Sequence, residues 1–314
     1  MNTPIAQTSA GGNLEWFRAA RKHARSHALA AAGLAAGVVA ILALLVQSLV
    51  RVLAGEAAAG FSYAMLGGAA GFAATAVGAS PALILRGIPQ RLEDSLLGFA
   101  AGMMLAASAF SLLLPGLAAG TDILGSKVAA AGIVVLGMGL GVLLMLGLDE
   151  FTPHEHGQTG PCGPGHERCG RVWLFVFAIA LHNLPEGMAI GVGFAQGDLS
   201  VGLPLTTAIA LQDIPEGLAV ALAMRAAGFT APLAVGVAVI SGLLEPIGAL
   251  LGVGLASGLA IAYPIGLGLA AGAMIFVVSH EVIPETHRNG HQTPATIGLM
   301  IGFALMMVLD TALA

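Results

Sequence analysis

Long runs of apolar residues, separated by short polar intervals, make up most of this chain. A run of about 20 apolar residues is long enough for an α-helix to cross the hydrocarbon core of a bilayer. We predict nine such spans, at residues 28-53, 60-86, 94-117, 127-149, 171-195, 200-225, 232-257, 261-285 and 293-313. The pattern therefore predicts an all-α polytopic membrane protein, with little chain left for a soluble domain.

The composition agrees with this pattern. Hydrophobic residues make up 57% of the chain and charged residues only 9%, against roughly 25% charged in soluble domains. Its 45 glycines predict close helix packing, because small residues let helix backbones approach in lipid. Examples are Gly137, Gly139 and Gly141, and Gly266, Gly268 and Gly272. The chain has no basic stripe, so no nucleic-acid partner is indicated.

The basic residues predict an orientation. A cytoplasmic N-terminus, with residues 1-27 as a cytoplasmic tail, places nearly all Lys and Arg inside and leaves only Arg51 and Lys127 outside. The inside set is Arg18, Arg21, Lys22, Arg25, Arg86, Arg91, Arg168, Arg171, Arg225 and Arg288. The C-terminus then lies outside. Span 28-53 is longer than the apolar core of a secretory signal, so we expect a retained helix.

Spans five and six carry related motifs, LHNLPEGMAI at residues 181-190 and LQDIPEGLAV at residues 211-220. Successive spans cross the bilayer in opposite directions, so the motifs form an inverted repeat. Transporters built this way bind their substrate near the bilayer midplane, between the repeats. Both motifs lie near the middle of their spans.

The two motifs place polar side chains in apolar surroundings without a basic partner. No Lys or Arg occurs between Arg171 and Arg225. A buried ionised carboxylate costs several kcal/mol unless it is neutralised. A cation from outside the protein is the simplest neutraliser, and this predicts metal binding within the membrane.

Helical spacing places the candidate ligands of each motif on one face. The first motif offers His182, Asn183 and Glu186, and the second offers Gln212, Asp213 and Glu216. These are about six donors, more than one tetrahedral ion needs, which indicates two adjacent metals. Imidazole and carboxylate together favour Zn²⁺ and neighbouring transition ions over Ca²⁺ or Mg²⁺.

Prolines and glycines accompany the ligands in both motifs. Pro185 and Pro215 each remove a backbone donor, and the expected kinks open room beside the ligands. Gly187 and Gly217 are expected to let another helix approach.

Other interpretations of these residues remain open at this point. The polar side chains could simply join helices by hydrogen bonds, although this does not account for three carboxylates without a basic partner. An intramembrane zinc-dependent hydrolase would need one open site, whereas the whole half-site is duplicated here and no HExxH motif occurs. A metal-selective channel would use the same ligands but show no saturation of flux at low metal concentration.

HNLPEG, followed thirty residues later by QDIPEG, resembles the ZIP (Zrt/Irt-like protein) family of divalent metal transporters, in its bacterial branch. The resemblance extends to SGLLEPIGALLG at residues 241-252 and to SHEVIPETH at residues 279-287. It covers the last eight spans and implies an eight-helix transporter domain at 60-313. Span 28-53 is then an extra N-terminal helix, which either packs at a homodimer interface or braces a moving group.

The resemblance implies a binuclear transport site at the midplane. Its primary site would use His182, Glu186, Gln212 and Glu216, and its second site Asn183, Asp213 and Glu245, with Glu186 and Glu216 bridging. Met104 would add a soft ligand, although a Met in an apolar helix usually fills the core. The implied function is import of Zn²⁺, and also Cd²⁺ or Fe²⁺, through a bacterial inner membrane by an elevator-like movement, without a catalytic cofactor.

Two further groups of metal-ligating residue types lie toward the cytoplasmic side. His280 and Glu281, with Asp149 and Glu150, are expected to form an exit path, with Glu285, His287 and His291 as weaker candidates. The Gly- and Pro-rich segment 150-170 is predicted to be a cytoplasmic loop without regular structure. It contains His154, His156, Cys162, His166 and Cys169. The loop either captures metal after passage or carries these residues incidentally.

Overall fold

The computed structural model describes residues 59-151, 154-156, 160-162, 171-197, 199-256 and 260-313. It also describes scattered helical positions between residues 24 and 50. The predicted extra helix 28-53 lies mostly outside the described residues, and so does most of the predicted tail 1-27. Their roles remain predictions.

Helices account for nearly all of the described chain. They are α1 (Ala59–Ala79), α2 (Gln90–Ala107), α3 (Leu114–Leu124), α4 (Lys127–Phe151), α5 (Arg171–Phe194), α6 (Leu199–Ala226), α7 (Ala231–Gly242), α8 (Leu244–Ala256), α9 (Ala262–Val277), α10 (Ile283–His287) and α11 (Gln292–Leu313). Among the described residues, seven helical segments are long and apolar enough to cross a membrane, and α5 occupies the predicted fifth span. The prediction of an all-α polytopic membrane protein is confirmed.

Two predicted spans differ from the structure in their details. The third span, predicted at 94-117, is a longer segment, Gln90–Leu124, because α2 begins with polar residues that a hydropathy pattern does not detect. The seventh span divides into α7 and α8 at Leu243. Pro246 accounts for this break, since a proline cannot bond to the carbonyl four residues earlier.

Two segments widen into π-helix, Ser108–Leu113 between α2 and α3 and Val278–Val282 between α9 and α10. A proline follows each of them closely, Pro115 in the first case and Pro284 in the second. Such π segments often occur at functional sites, and the second contains His280 and Glu281. By contrast, α5 and α6 run through Pro185 and Pro215 without a break in the helix.

The loop prediction for 150-170 was partly wrong. Residues His154–His156 (β1) and Gly160–Cys162 (β2) form a small antiparallel hairpin in which His154 pairs with Cys162. Strands of three residues are too short to produce a recognisable alternating pattern in the sequence. His166 and Cys169 lie outside the described residues.

We divide the helices into two bundles, and α2 and α11 of one bundle also pack against α6 of the other. The site bundle contains α1, α5, α6, α7 and α8, and the support bundle contains α2, α3, α4, α9, α10 and α11. Apolar side chains from both bundles fill the core between them, including Met103, Ile190, Leu205 and Met274.

Glycine pairs hold each bundle together internally. On α5 and α8, a Cβ added at Gly187 would strike the backbone of Glu245, and one added at Gly252 would strike the backbone of Met188. The same arrangement joins α2 to α11 and α4 to α9. The expected close packing is confirmed at Gly137, Gly141, Gly268 and Gly272. It was wrong for Gly139, which faces no described atom within 4 Å, and for Gly266, which meets only side-chain atoms.

This packing predicts opposite effects for two glycines on one helix. Gly141→Ala should destabilise the protein by about 1–3 kcal/mol, because the methyl group meets the backbone of Leu269 on α9. Gly139→Ala is the matched control and should be neutral or stabilising by up to about 1 kcal/mol, since alanine favours the helix. Thermal unfolding in detergent measures both variants. Equal melting temperatures for the two would contradict the packing described here.

Candidate metal centre

A cluster of buried carboxylates joins the two repeated motifs. Glu186 on α5, and Asp213 and Glu216 on α6, each place one ligand oxygen within 4.8 Å of the others. All three side chains are buried, and Glu216 is the most exposed at 3%. The spacing matches what a shared cation requires, so the structure brings together the carboxylates of both motifs.

One hydrogen bond links the motifs directly. The side-chain amide of Gln212 donates to Glu186 Oε1 at 2.5 Å. The other oxygen of Glu186 and both oxygens of Asp213 and Glu216 accept no hydrogen bond from any N–H or hydroxyl of the described residues. Buried side-chain oxygens in proteins rarely lack a binding partner. These oxygens are therefore available to coordinate a cation.

Glu245 extends this cluster from α8. Its side chain is fully buried, and Oε1 accepts a hydrogen bond from Thr75 Oγ1 on α1 at 2.9 Å. Its other oxygen lies over Gly71, where an added Cβ would strike Glu245 Oε2 and come within 3.1 Å of Asp213 Oδ2. The carboxylates of Glu245 and Asp213 therefore converge above Gly71.

The remaining predicted ligands are also buried. His182 and Asn183 are each 3% exposed and lie one helical turn before Glu186. Met104 is fully buried on α2, which packs against α6 in the interface between the bundles. Its position suits either a soft ligand or core filling, so its role stays a prediction.

The glycine of each motif lets another helix approach, as expected. Gly187 lets α8 approach and bring Glu245 to the site, and Gly217 lets α1 approach and bring Thr75. Sequence reasoning identified Glu245 but missed Thr75 and Gly71. A threonine and a glycine in an apolar helix carry no distinctive signal, and only the packing of α1 against α6 and α8 reveals them.

A second group of ligand types lies away from the buried centre. Asp149 on α4, with His280 and Glu281 of the π segment, can direct three ligand atoms within 4.8 Å of one another. His280 Nε2 lies 3.8 Å from Asp149 Oδ2, and the imidazole contacts the ring of Phe276. The structure therefore brings together three of the predicted exit residues, Asp149, His280 and Glu281. The side chain of the fourth, Glu150, is not among those that the structure describes.

The weaker exit candidates make other contacts. Glu285 pairs with Arg288 at 3.3 Å, and His287 Nδ1 lies 2.8 Å from the carbonyl of Ile283. His291 Nδ1 lies 2.7 Å from Asp94 Oδ2. These residues do not join the Asp149 group, so the structure gives no support to them as its members.

Comparisons with known proteins identify the family. Residues 162–310 match the family model described as ZIP Zinc transporter. The chain is 68% identical over 268 residues to the zinc transporter ZIPB of Bordetella bronchiseptica, covering 85% of this chain and 87% of that protein. This chain belongs to the ZIP family. It is also 41% identical over 240 residues to the zinc transporter GufA of Myxococcus xanthus, covering 76% of this chain and 94% of that protein.

More distant ZIP relatives extend this comparison to animals. Human zinc transporter ZIP11 is 31% identical over 323 aligned positions, which cover 76% of this chain and 94% of that protein. Because the ZIP family consists of transporters, the prediction that the chain is not an enzyme is confirmed. The hydrolase interpretation is therefore removed. The matched region 162–310 contains every predicted metal ligand except Met104.

One buried carboxylate of this ZIP protein escaped sequence analysis. Asp94 on α2 is only 1% exposed and accepts hydrogen bonds from Asn289 at 3.1 Å and Gln90 at 3.2 Å, besides its contact with His291. Its contacts with Asn289 and His291 join the beginning of α2 to the connection between α10 and α11. The predicted span began at this residue, so its burial was not foreseen.

Proposed function

We propose that this chain carries Zn²⁺ across a bacterial inner membrane by alternating access, through a site for two ions. The observation that carries this proposal is the cluster of four buried carboxylates, Glu186, Asp213, Glu216 and Glu245, of whose eight oxygens only two accept a hydrogen bond from the part of the chain that the structure describes. Neutralisation by divalent cations accounts for such a cluster in apolar surroundings.

The donors divide between two neighbouring ions. His182, Glu186, Gln212 and Glu216 form the primary site, with Met104 as an added soft ligand, and Asn183, Asp213 and Glu245 form the second. Glu186 and Glu216 bridge the ions, which the separation of at most 4.8 Å between their ligand oxygens supports. Imidazole beside carboxylate favours Zn²⁺, with Cd²⁺ and Fe²⁺ as further cargo.

Movement of the site bundle against the support bundle provides the alternating access. We consider a Cβ atom added to each described glycine. Every contact shorter than 3.0 Å that such an atom makes with another helix is to a helix of the same bundle. Between the bundles, Gly266 meets only side-chain atoms, the nearest being Val192 at 3.3 Å. Close backbone packing stiffens the site bundle and the α2–α11 and α4–α9 pairs of the support bundle, whereas an interface of apolar side chains permits sliding. This contrast supports an elevator-like motion.

The orientation completes the proposed path. With the N-terminus cytoplasmic, Asp149 lies at the inner end of α4, and His280 and Glu281 lie beside it. Metal leaves the buried centre through this group, so transport runs inward. Because carboxylates bind metal only in their deprotonated form, metal binding is accompanied by proton release.

The exit role makes a specific prediction. Glu281→Gln should lower the maximal rate of uptake about 3–10-fold while leaving Zn²⁺ affinity at the buried centre unchanged, because it removes one ligand of a relay site. Glu285→Gln is the control, since that carboxylate pairs with Arg288 instead. Initial uptake rates over a range of Zn²⁺ concentrations separate the two parameters. Unchanged rates for Glu281→Gln would exclude the relay.

Zinc uptake into proteoliposomes tests the proposed function itself. Purified protein is reconstituted around a trapped fluorescent zinc indicator, and Zn²⁺ is added outside. We expect uptake that saturates with Zn²⁺ concentration, is reduced by competing Cd²⁺ and is unaffected by Mg²⁺. Protein-free vesicles give the background. No uptake above that background would overturn the proposal, and uptake without saturation would favour a channel.

A further inference from the structure

Thr75 and Gly71 on α1 form a support for the Glu245 carboxylate. The two residues are four apart, so they lie on one face of the helix. Thr75 is 4% exposed and donates its hydroxyl to Glu245 Oε1, while Gly71 leaves the space that Glu245 Oε2 occupies. One oxygen of the carboxylate is thereby held, and the other lies on the side of Asp213.

The hydroxyl of Thr75 bonds to a carboxylate on another helix, as that of Ser111 does to Asp310. Helical Ser and Thr side chains commonly bond to the carbonyl four residues earlier. Thr121, Thr207, Thr311 and Ser108 do so in this protein, with distances of 2.7 to 2.8 Å. Thr75 instead directs its hydroxyl across to another helix. A bond to a carboxylate is stronger than one to a neutral carbonyl.

The position of Thr75 is closely confined. A Cβ added at Gly217 would strike its backbone, and one added at Gly242 would lie 3.1 Å from its Cβ and 3.3 Å from its Oγ1. Gly217 belongs to the second motif, and Gly242 precedes Glu245 by one helical turn. The helices that carry the ligands therefore also fix the hydroxyl that holds Glu245.

Thr75 also occupies a position that corresponds to that of Glu245. Glu245 lies against Gly187 and is followed three residues later by Gly248, which packs on Leu184. Thr75 lies against Gly217 and is followed three residues later by Gly78, which packs on Ile214. In the repeat, Gly187 matches Gly217 and Leu184 matches Ile214. The helix packed on the first motif thus carries a carboxylate, Glu245, at the position where the helix packed on the second motif carries a hydroxyl, Thr75.

We propose that Thr75 is a positioning residue for the second metal ion. It holds Glu245 Oε1 so that Oε2 faces the ion shared with Asp213, and Gly71 keeps that place open. This inference rests on the proposed two-ion function. The hydroxyl binds no ion itself, and its contribution is to keep the carboxylate in its coordinating orientation, as hydrogen-bond partners of metal ligands do.

Thr75→Val tests this role, because valine keeps the shape and removes the hydroxyl. We expect the affinity for the second Zn²⁺ to fall about 10–100-fold, with the first ion bound as in the wild type. Thr75→Ser should restore second-ion affinity. Thr207→Val is the matched control, since it removes a hydroxyl that bonds only to its own helix. Equilibrium dialysis of purified protein against Zn²⁺ measures both binding steps.

Gly71→Ala provides an independent variant if Thr75→Val does not fold. Its methyl group overlaps Glu245 Oε2, so it should weaken the second ion selectively as well. Wild-type affinity for both ions in either folded variant overturns the positioning role while leaving transport intact. A wild type that binds only one ion overturns the two-ion arrangement and this inference with it. A wild type that takes up no Zn²⁺ refutes the proposed function separately.

Discussion

Replacing Glu216 with glutamine is expected to lower zinc uptake by at least about 100-fold. Glu216 is buried, neither of its oxygens accepts a hydrogen bond from the described residues, and it is proposed to bridge both ions. Glutamine keeps the shape but removes the negative charge and replaces one carboxylate oxygen with an NH₂ group, which cannot bind a cation. Both sites are affected at once, so no second ligand compensates.

Uptake into proteoliposomes, normalised to reconstituted protein, measures this effect. The control is Asp122→Asn, which neutralises an exposed carboxylate near the end of α3 and should transport like the wild type. The Glu216→Gln protein should remain folded, because it removes a buried negative charge that no basic residue balances. Transport at more than a tenth of the wild-type rate by folded Glu216→Gln would show that Glu216 is not a bridging ligand.

Gln212→Lys is expected to abolish transport by a different route. Gln212 already donates to Glu186, so a lysine ammonium at this position can pair with the carboxylates in place of the metal. The protein should fold without Zn²⁺ at least as stably as the wild type, because the buried charges become paired. It should neither bind nor carry Zn²⁺.

The response of thermal stability to zinc separates this outcome from simple misfolding. Zn²⁺ at 1,000 times its dissociation constant stabilises a protein by about 4 kcal/mol, so the melting temperature of the wild type should rise. The melting temperature of Gln212→Lys should not respond to Zn²⁺. Gln212→Met is the matched control, which loses a donor but gains no charge and should keep a reduced response. A zinc-dependent rise in Gln212→Lys would contradict a metal site at this position.

The repeat explains why the site needs four helices although only two carry the motif. Each motif supplies ligands and a glycine, and each glycine admits one further helix, α8 at Gly187 and α1 at Gly217. The admitted helices bring Glu245 and Thr75, which bond to each other. Four helices of the site bundle thus supply the carboxylates of the buried centre and the hydroxyl that bonds to Glu245.

Sequence by itself determined much about this protein, for physical reasons that act locally. Helices that cross a bilayer must be apolar and about 20 residues long, so the spans were readable from α1 through α11. Carboxylates within apolar helices are costly enough to be functional. Helical spacing therefore identified His182, Glu186 and Asp213 with their neighbours as candidate ligands, and the repeat linked the two motifs.

Only the tertiary structure decided how the helices meet. A glycine in an apolar helix looks the same whether it faces another backbone or open space, and Gly141 and Gly139 differ in this way two residues apart. Thr75 is likewise indistinguishable from a threonine bonded to its own helix until α1 is packed against α8. Helix partners and the bundles they form depend on contacts between distant parts of the chain, which local patterns do not encode.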